Sequence, residues 1–383
     1  MASCRAAVSV YLALALTLGG CSTLDSINPF ASKGPKMAEL QPIAATAEAH
    51  FIWRESVGKS DLYSFTPAIV GASVYAASKN GTMVRIDSGK LVWKISADQE
   101  LSGGVGADER MVVVGTPKGE VLAFSAADGK PLWTAKASSE ILAPPALGEG
   151  VVVVRGGDNR LTAYDMTDGK RKWTYQRPTP ALSLRAMASP VIDGKYVFAG
   201  FPGGKLIAVS TANGASLWEG TVALPKGSSE LDRVADIISS PVISGRTICA
   251  VAFQGRVACF DLGNGNLVWA RDMSSAAGLA IDARYVYVTD DKGAVHALDL
   301  ASGASLWKQD KLFLRRVTAP LPRRNLIAVA DAEGFVHFLS REDGSFVARL
   351  ATDGSPVVAP LKALGSDLLL QTSKGGIFAI EAQ

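Results

Sequence analysis

The strongest constraint in this chain is a glycine that returns at nearly regular spacing. It stands at Gly81, Gly119, Gly204, Gly255, Gly293, Gly334 and Gly375, and Asn159 fills the remaining slot, with intervals of 38 to 51 residues. Asn is the non-glycine residue that best tolerates a left-handed backbone, so the slot marks a tight turn. A second marker keeps step. Fourteen residues after six of these slots come Trp133, Trp173, Trp218, Trp269, Trp307 and, once, Ala348, while a shorter first repeat ends on Trp93. Around each marker lie four short β-prone runs separated by turns, as in "ASPVIDG", "KYVFAGF", "KLIAVST" and "ASLWEGT". A period near 40 residues with four such runs suits one propeller blade.

The ends of the chain complete the pattern. The last repeat, "KGGIFAIEAQ", stops at Gln383 before a tryptophan strand can form, whereas a spare one, "HFIWRES" with Trp53, precedes the first repeat. A missing strand at one end and a surplus strand at the other are what closing a ring requires, since closure leaves no open sheet edge at the join. Third-strand positions are apolar on both faces (Val121 and Ala123; Leu122 and Phe124), as expected when each sheet packs between two others. The expectation is an all-β, eight-bladed β-propeller over residues 49–383, closed by the N-terminal strand completing the last blade.

Ahead of this body, "MASCRAAVSVYLALALTLGGC" has one positive residue and then an uncharged run too short to span a bilayer as a helix. The ending "LGGC" resembles a bacterial lipobox. That resemblance implies removal of residues 1–20, diacylglycerol on the Cys21 thiol, and, with Ser22 following, sorting to the outer membrane. The lipid would hold the protein to the membrane without spanning it. Residues 21–48, rich in Ser, Ala and Pro, read as the lipidated cysteine and a flexible tether, with a reach of roughly 30 Å at about 5–6 Å × √n. The net charge of +3 is dispersed, without the clustered basic stripe that nucleic-acid binding needs.

The pattern "AYDMTDGKRKW", Ala163 to Trp173, resembles the tryptophan-docking motif of quinoprotein propellers, and the resemblance covers nearly all of residues 50–383. It implies that Trp53, Trp93, Trp133, Trp173, Trp218, Trp269 and Trp307 each dock against a neighbouring blade. A quinone-dependent dehydrogenase would also need an aspartate base, calcium ligands and an aromatic or disulfide platform. All seven tryptophans are used by the repeat, and Asp165, Asp261 and Asp299 sit in turns, where Asp caps the backbone. His296 and His337 share one repeat position, occupied elsewhere by Val84, Leu122, Ile207 and Phe378, and two histidines alone make a poor metal site. They are expected to pack between blades. No catalytic residue, metal or cofactor is assigned. Cys249 and Cys259 flank the turn at Gln254–Gly255, nearly opposite each other, so a cross-strand disulfide is conceivable. The equivalent positions elsewhere are apolar or Ala, and the pair is read here as two small core residues.

Function is sought where the repeat breaks. From tryptophan slot to next glycine takes 31 residues after Trp173 and 37 after Trp218, against 24 to 28 elsewhere. The two insertions are consecutive and fall at the same point of their blades, so they emerge side by side on one rim. The first, "RPTPALSLRAMASP", is expected to extend with Leu182 and Leu184 on one side and Ser183 and Arg185 on the other. The second, "LPKGSSELDRVADIISSP", carries Glu230, Asp232, Arg233 and Asp236. An apolar pair beside an arginine, facing an acidic loop, suits protein docking. The alternative is that the leucines tuck under their own loop while Arg185 pairs with Asp232 or Asp236.

Taken together, the lipobox, the tether, the tryptophan-docked ring, "LSLR" and "ELDRVAD" resemble the BamB family, lipoproteins of the outer-membrane β-barrel assembly machinery. "LFLRRVTAPL" and "REDGSFVARL" fit the family's later blades. The resemblance implies a non-enzymatic scaffold, lipid-anchored at the periplasmic face of the outer membrane, that binds the periplasmic domains of the barrel-forming subunit, BamA. Leu182, Leu184 and Arg185 would contact that subunit, with Asp232 and Asp236 supporting the same surface; delivery of unfolded barrel precursors would be a further role. One departure stands out: the family's second loop tends to carry acids two apart, and here Ile238 follows Asp236. A quinoprotein-like enzyme and a generic ligand-binding propeller remain the alternatives.

Overall fold

The computed structural model describes residues 35–185 and 188–383. The expected leader (residues 1–20), Cys21, most of the tether, and Ala186 and Met187 of the first insertion lie outside the described residues.

Strands form where the turn glycines predict, and they assemble into eight four-stranded antiparallel sheets. Blade 1 spans residues 68–96, blade 2 103–136, blade 3 146–175, blade 4 191–221, blade 5 242–272, blade 6 278–309 and blade 7 321–351. Blade 8 takes three strands from residues 362–382 and its outermost from Ala49–Ser56, which runs antiparallel to Gly376–Ala382 from Ala49↔Ala382 to Ser56↔Gly376. The ring therefore closes as the sequence ends required. The second strands of the blades, such as Met111–Gly115 and Val151–Arg155, are buried along their whole length. Each sheet is a wedge whose two faces meet two neighbours. Antiparallel order puts the connection between second and third strands, and the connection from one blade to the next, on the same face of the ring. We call it the connection face.

The tryptophans hold each blade to the next in one way. Six indole N–H groups, from Trp93, Trp133, Trp173, Trp218, Trp269 and Trp307, donate to main-chain carbonyls of the following blade (Ala126, Met166, Thr211, Leu262, Leu300 and Arg341) at 2.8–3.1 Å. The ring lies over a turn glycine of that blade. At Gly214, φ is +72° and an added Cβ would stand 2.7 Å from Trp173, so both backbone conformation and space demand glycine. Trp53 covers Gly89 in the same manner, without the carbonyl bond. Inside its own sheet five of these tryptophans face a small residue of the third strand (Ala123, Ala163, Ala208, Ala297 or Cys259), whereas Trp93 faces Arg85. Small-against-large pairing keeps the sheet thickness constant.

The glycine slot departs from expectation once. Left-handed φ occurs at seven of the eight slots, Asn159 included, but in blade 5 it moves to Gln254 (φ +49°) and Gly255 is not left-handed. The cysteines also depart from the reading above. Cys249 and Cys259 face each other directly in adjacent strands, with Cα atoms 4.1 Å apart, and are joined as a disulfide. Their register falls on a close-spaced cross-strand pair, where the two sulfurs come within bonding reach.

A strap precedes the closing strand. Residues 38–48, expected as tether, instead lie against blade 7: the Ala38 N–H donates to Phe313 O, those of Thr46 and Ala47 to Val347 O, and Glu48 and Gln383 exchange bonds. Leu40 packs against the apolar cluster of Trp307 and Leu312.

Candidate functional site

The two insertions leave the connection face between blades 3 and 4 and between blades 4 and 5. They are locked together by one buried carboxylate. Asp236 is 1 % exposed, and its oxygens accept the Leu184 N–H at 2.7 Å and the Gly203 N–H at 2.9 Å. Both acceptor atoms are thus satisfied by main chain, as burial of a charge demands. The result is that the second insertion fixes the backbone of the first at Leu184.

Beneath this junction sits a buried arginine. Arg155 donates from Nη2 to Asn159 Oδ1 at 2.8 Å and lies over the Phe201 ring, 5.3 Å from its centroid. Burial lowers its pKa to about 10, with the Asp236 charge working the other way. Asp236 therefore joins a backbone anchor above it to a cation in the same buried layer. Arg177, from the start of the insertion, approaches the same Phe201 ring and Glu219.

Of the remaining site residues, Leu182, Arg185 and Asp232 are exposed. Arg185 pairs with Glu140, which neither the acidic-loop reading nor its alternative anticipated. Glu140 belongs to the connection entering blade 3, and its carbonyl accepts the Gly157 N–H at 2.8 Å. Asp232 faces its own loop: Oδ2 accepts the Ser229 N–H and the Ser229 hydroxyl accepts the Asp232 N–H, each at 3.1 Å. The bond with Ser229 holds the Asp232 carboxyl below the usual carboxylate range. Glu230 pairs with Arg233 at 2.8 Å. The Gln254 side-chain amide lies against the carbonyls of Leu231, Asp232 and Val234 at 3.2, 3.3 and 2.9 Å, and because a carbonyl can only accept, its nitrogen is assigned toward them. The left-handed Gln254 turn of blade 5 thus supports the second insertion.

The segment 181–185 is irregular rather than a strand, and the leucines differ: Leu182 is exposed and Leu184 half-buried. Two further leucines stand out in the second insertion, Leu224 at 59 % and Leu231 at 70 % exposure. Their isolation in the polar run "LPKGSSELDRVAD" was the available signal. Glu140 and Arg155 carried none, because their roles depend on blades folding side by side. The two insertions thus expose Leu182, Leu224 and Leu231 and leave Leu184 half-buried, beside the Arg185–Glu140 pair and the Asp232 loop.

Asp165, Asp261 and Asp299 accept turn N–H groups at 2.8–3.2 Å. Among the described residues no group of three or more His, Cys, Asp or Glu side chains is placed to hold a metal ion.

Fold and insertions together define a tryptophan-docked, eight-bladed propeller with two neighbouring insertions on its connection face. The comparisons name the family. The family model described as "Outer membrane protein assembly factor BamB" matches residues 79–309. A relative of that name from Pseudomonas aeruginosa is 46% identical, over 91% of this chain and 92% of its own length. One from Bordetella pertussis is 44% identical, over 98% and 96%. The crystal structure of BamB from Moraxella catarrhalis superposes with a TM-score of 0.81 at 27% identity, covering 87% of this chain and all of that one. This chain belongs to the BamB family of outer membrane protein assembly factors, which are not enzymes. Membership implies a role in the outer-membrane assembly complex and association with that membrane. A quinohemoprotein alcohol dehydrogenase from Comamonas testosteroni shares the fold, with a TM-score of 0.70 at 14% identity.

Proposed function

We propose that this protein is a non-enzymatic scaffold, anchored by lipid on Cys21 at the periplasmic face of the outer membrane. It binds the periplasmic domains of the barrel-forming subunit through the two insertions. Leu182, Leu184, Leu224 and Leu231 supply apolar contact. Arg185 exchanges or shares its Glu140 partner with an acidic group of the subunit. Asp232 shapes the rim, and Asp236 acts from beneath by fixing the Leu184 backbone. The observation that carries this reading is the Asp236 clamp: a buried charge is used to hold an exposed loop in one shape. Preorganisation of this kind lowers the ordering cost of binding.

Co-purification from membranes tests the reading. Leu184→Ala with Arg185→Ala should abolish recovery of the barrel-forming subunit while the propeller stays folded; intact recovery would show the site assignment to be wrong. Asp236→Asn should weaken recovery without removing any exposed group. Cys21→Ser should release the protein to the soluble periplasm, and continued membrane retention would refute a purely lipid anchor.

A further inference from the structure

The strap that leads into the ring is held by an ionic cluster separate from the docking surface. Arg315, in the connection from blade 6 to blade 7, is 1 % exposed. It donates from Nε to Asp331 Oδ2 at 2.7 Å, from Nη1 to Ala38 O at 2.9 Å, and from Nη2 to Glu333. Arg349, on the outermost strand of blade 7, donates from Nη1 to Gln41 O at 3.0 Å and from Nε to His337 Nδ1 at 3.1 Å. His337 is fully buried, with Nε2 2.9 Å from Asp331 Oδ2.

Arginine only donates hydrogen bonds, so His337 Nδ1 must be bare and its single ring proton sits on Nε2, facing Asp331. The imidazole is neutral. Around it stand the Phe335 and Phe346 rings, Val329 of the adjacent strand, the cations Arg315 and Arg349, and the carboxylates Asp331 and Glu333. A proton on Nδ1 would set N–H against N–H at Arg349 and add a third positive charge to two carboxylates.

We propose that Arg315, Asp331, His337 and Arg349 form a proton-operated latch that holds the strap on blade 7 and sets where the tether leaves the ring. At neutral pH the latch is closed and residue 38 is pinned to the connection face, the face that carries Arg185. When His337 takes a proton, Arg349 loses its acceptor, swings to solvent and gives up Gln41, and the strap peels back through Ala47. Burial holds the His337 pKa below the ordinary histidine value, so release falls on the acid side of about 6.5. The sign follows: a depressed pKa gives stabilisation that is complete above the unfolded value and lost as pH falls through the folded one. Blade 6 is the internal control. His296 occupies the same slot beside Asp290 at 2.9 Å, but Lys308 faces it where Arg349 faces His337, and among the described residues no strap bond is made there.

Hydrogen exchange on the full-length protein tests the latch directly and does not depend on the docking or tether readings. Protection of the Ala38, Thr46 and Ala47 amides, corrected for intrinsic rate, should fall at least about tenfold between about pH 7.5 and about pH 4.5, while the strand Leu326–Ala330 stays protected. His337→Gln can still accept from Arg349 and donate to Asp331 but does not titrate, so its strap should stay protected throughout. Equal acid loss in that variant, or a strap that stays protected in the unmodified protein, would overturn the proposal. Should His337→Gln disturb blade 7, Arg349→Gln provides the second arm. Its strap should be exposed at both pH values, and undiminished protection at neutral pH would refute the latch.

Discussion

Two joins between blades solve one packing problem in opposite ways. Between blades 6 and 7, Trp307 faces Ala297 in its own sheet, covers Gly344 of the next, and donates to Arg341 O at 2.9 Å. Between blades 7 and 8 the tryptophan is Ala348, and its cross-strand partner has become Phe338. Large and small have changed places. The reason lies one blade further on: the outermost strand of blade 8 is Ala49–Ser56, which precedes the other three in sequence, so no turn joins it to Gly376–Ala382. Without a turn glycine there is nothing for an indole to cover. The aromatic moves inward, and the strap and the Glu48–Gln383 bonds fill the outer space. Tryptophan docking therefore depends on what the next blade offers as much as on the blade that carries the residue.

This contrast can be broken experimentally. Trp307→Ala should have the largest effect, about 3–5 kcal/mol of lost stability in denaturant unfolding, since it empties a packed site and orphans a carbonyl. Ala348→Trp should cost about 1–3 kcal/mol by overpacking against Phe338. Adding Phe338→Ala should recover much of that loss; no recovery would mean that the chain ends, not Phe338, fill the site. Removing the disulfide with Cys249→Ala and Cys259→Ala should cost about 2–3 kcal/mol, from loop-closure entropy in the unfolded chain. A loss near zero would show that the hairpin is held by its blade alone.

The blade 7 cluster also makes a pH prediction. Burial by itself would raise the Asp331 pKa, yet hydrogen bonds from His337 and Arg315 keep it below the usual carboxylate range. A depressed carboxylate stabilises fully above its unfolded value, about 3.9, and the contribution is lost as pH falls toward the folded value. Thermal melting below about pH 4 should therefore steepen with acid, and Asp331→Asn should flatten that slope. The smallest effect on stability belongs to Leu231→Ala, within about 0.5 kcal/mol, because the side chain is exposed. Its effect should appear in subunit co-purification instead, which separates a docking residue from a packing one.

Much of the ring was legible because its signals are local. A left-handed turn accepts glycine or asparagine wherever it occurs, and Gly81, Gly119 and Asn159 announce it residue by residue. Gln254 shows the limit of that logic: the turn of blade 5 moves its left-handed position by one to meet the second insertion. The insertions could be found by counting, and their common rim followed from strand parity. Their chemistry could not. Asp236 reads as a surface acid in "ELDRVAD" and is buried under Leu184, 52 residues away. Arg185 finds Glu140 at a separation of 45, across a blade boundary. The cysteine pair failed for a finer reason: a shift of one residue in register would have set the sulfurs on opposite faces.

By itself the sequence determined the blade count, the closing strand, the turn positions and the seven docking tryptophans, since each follows from backbone conformation or side-chain volume at a repeating site. Only the tertiary structure decided which charges meet. The strap shows this most clearly: Arg315 reaches Ala38 across 277 residues, a contact that exists because closing the ring brings the entering chain against blade 7. Periodicity records what every blade shares. Partners such as Glu140, Asp236 and Arg315 are set where blades, insertions and chain ends meet, and closure alone brings them together.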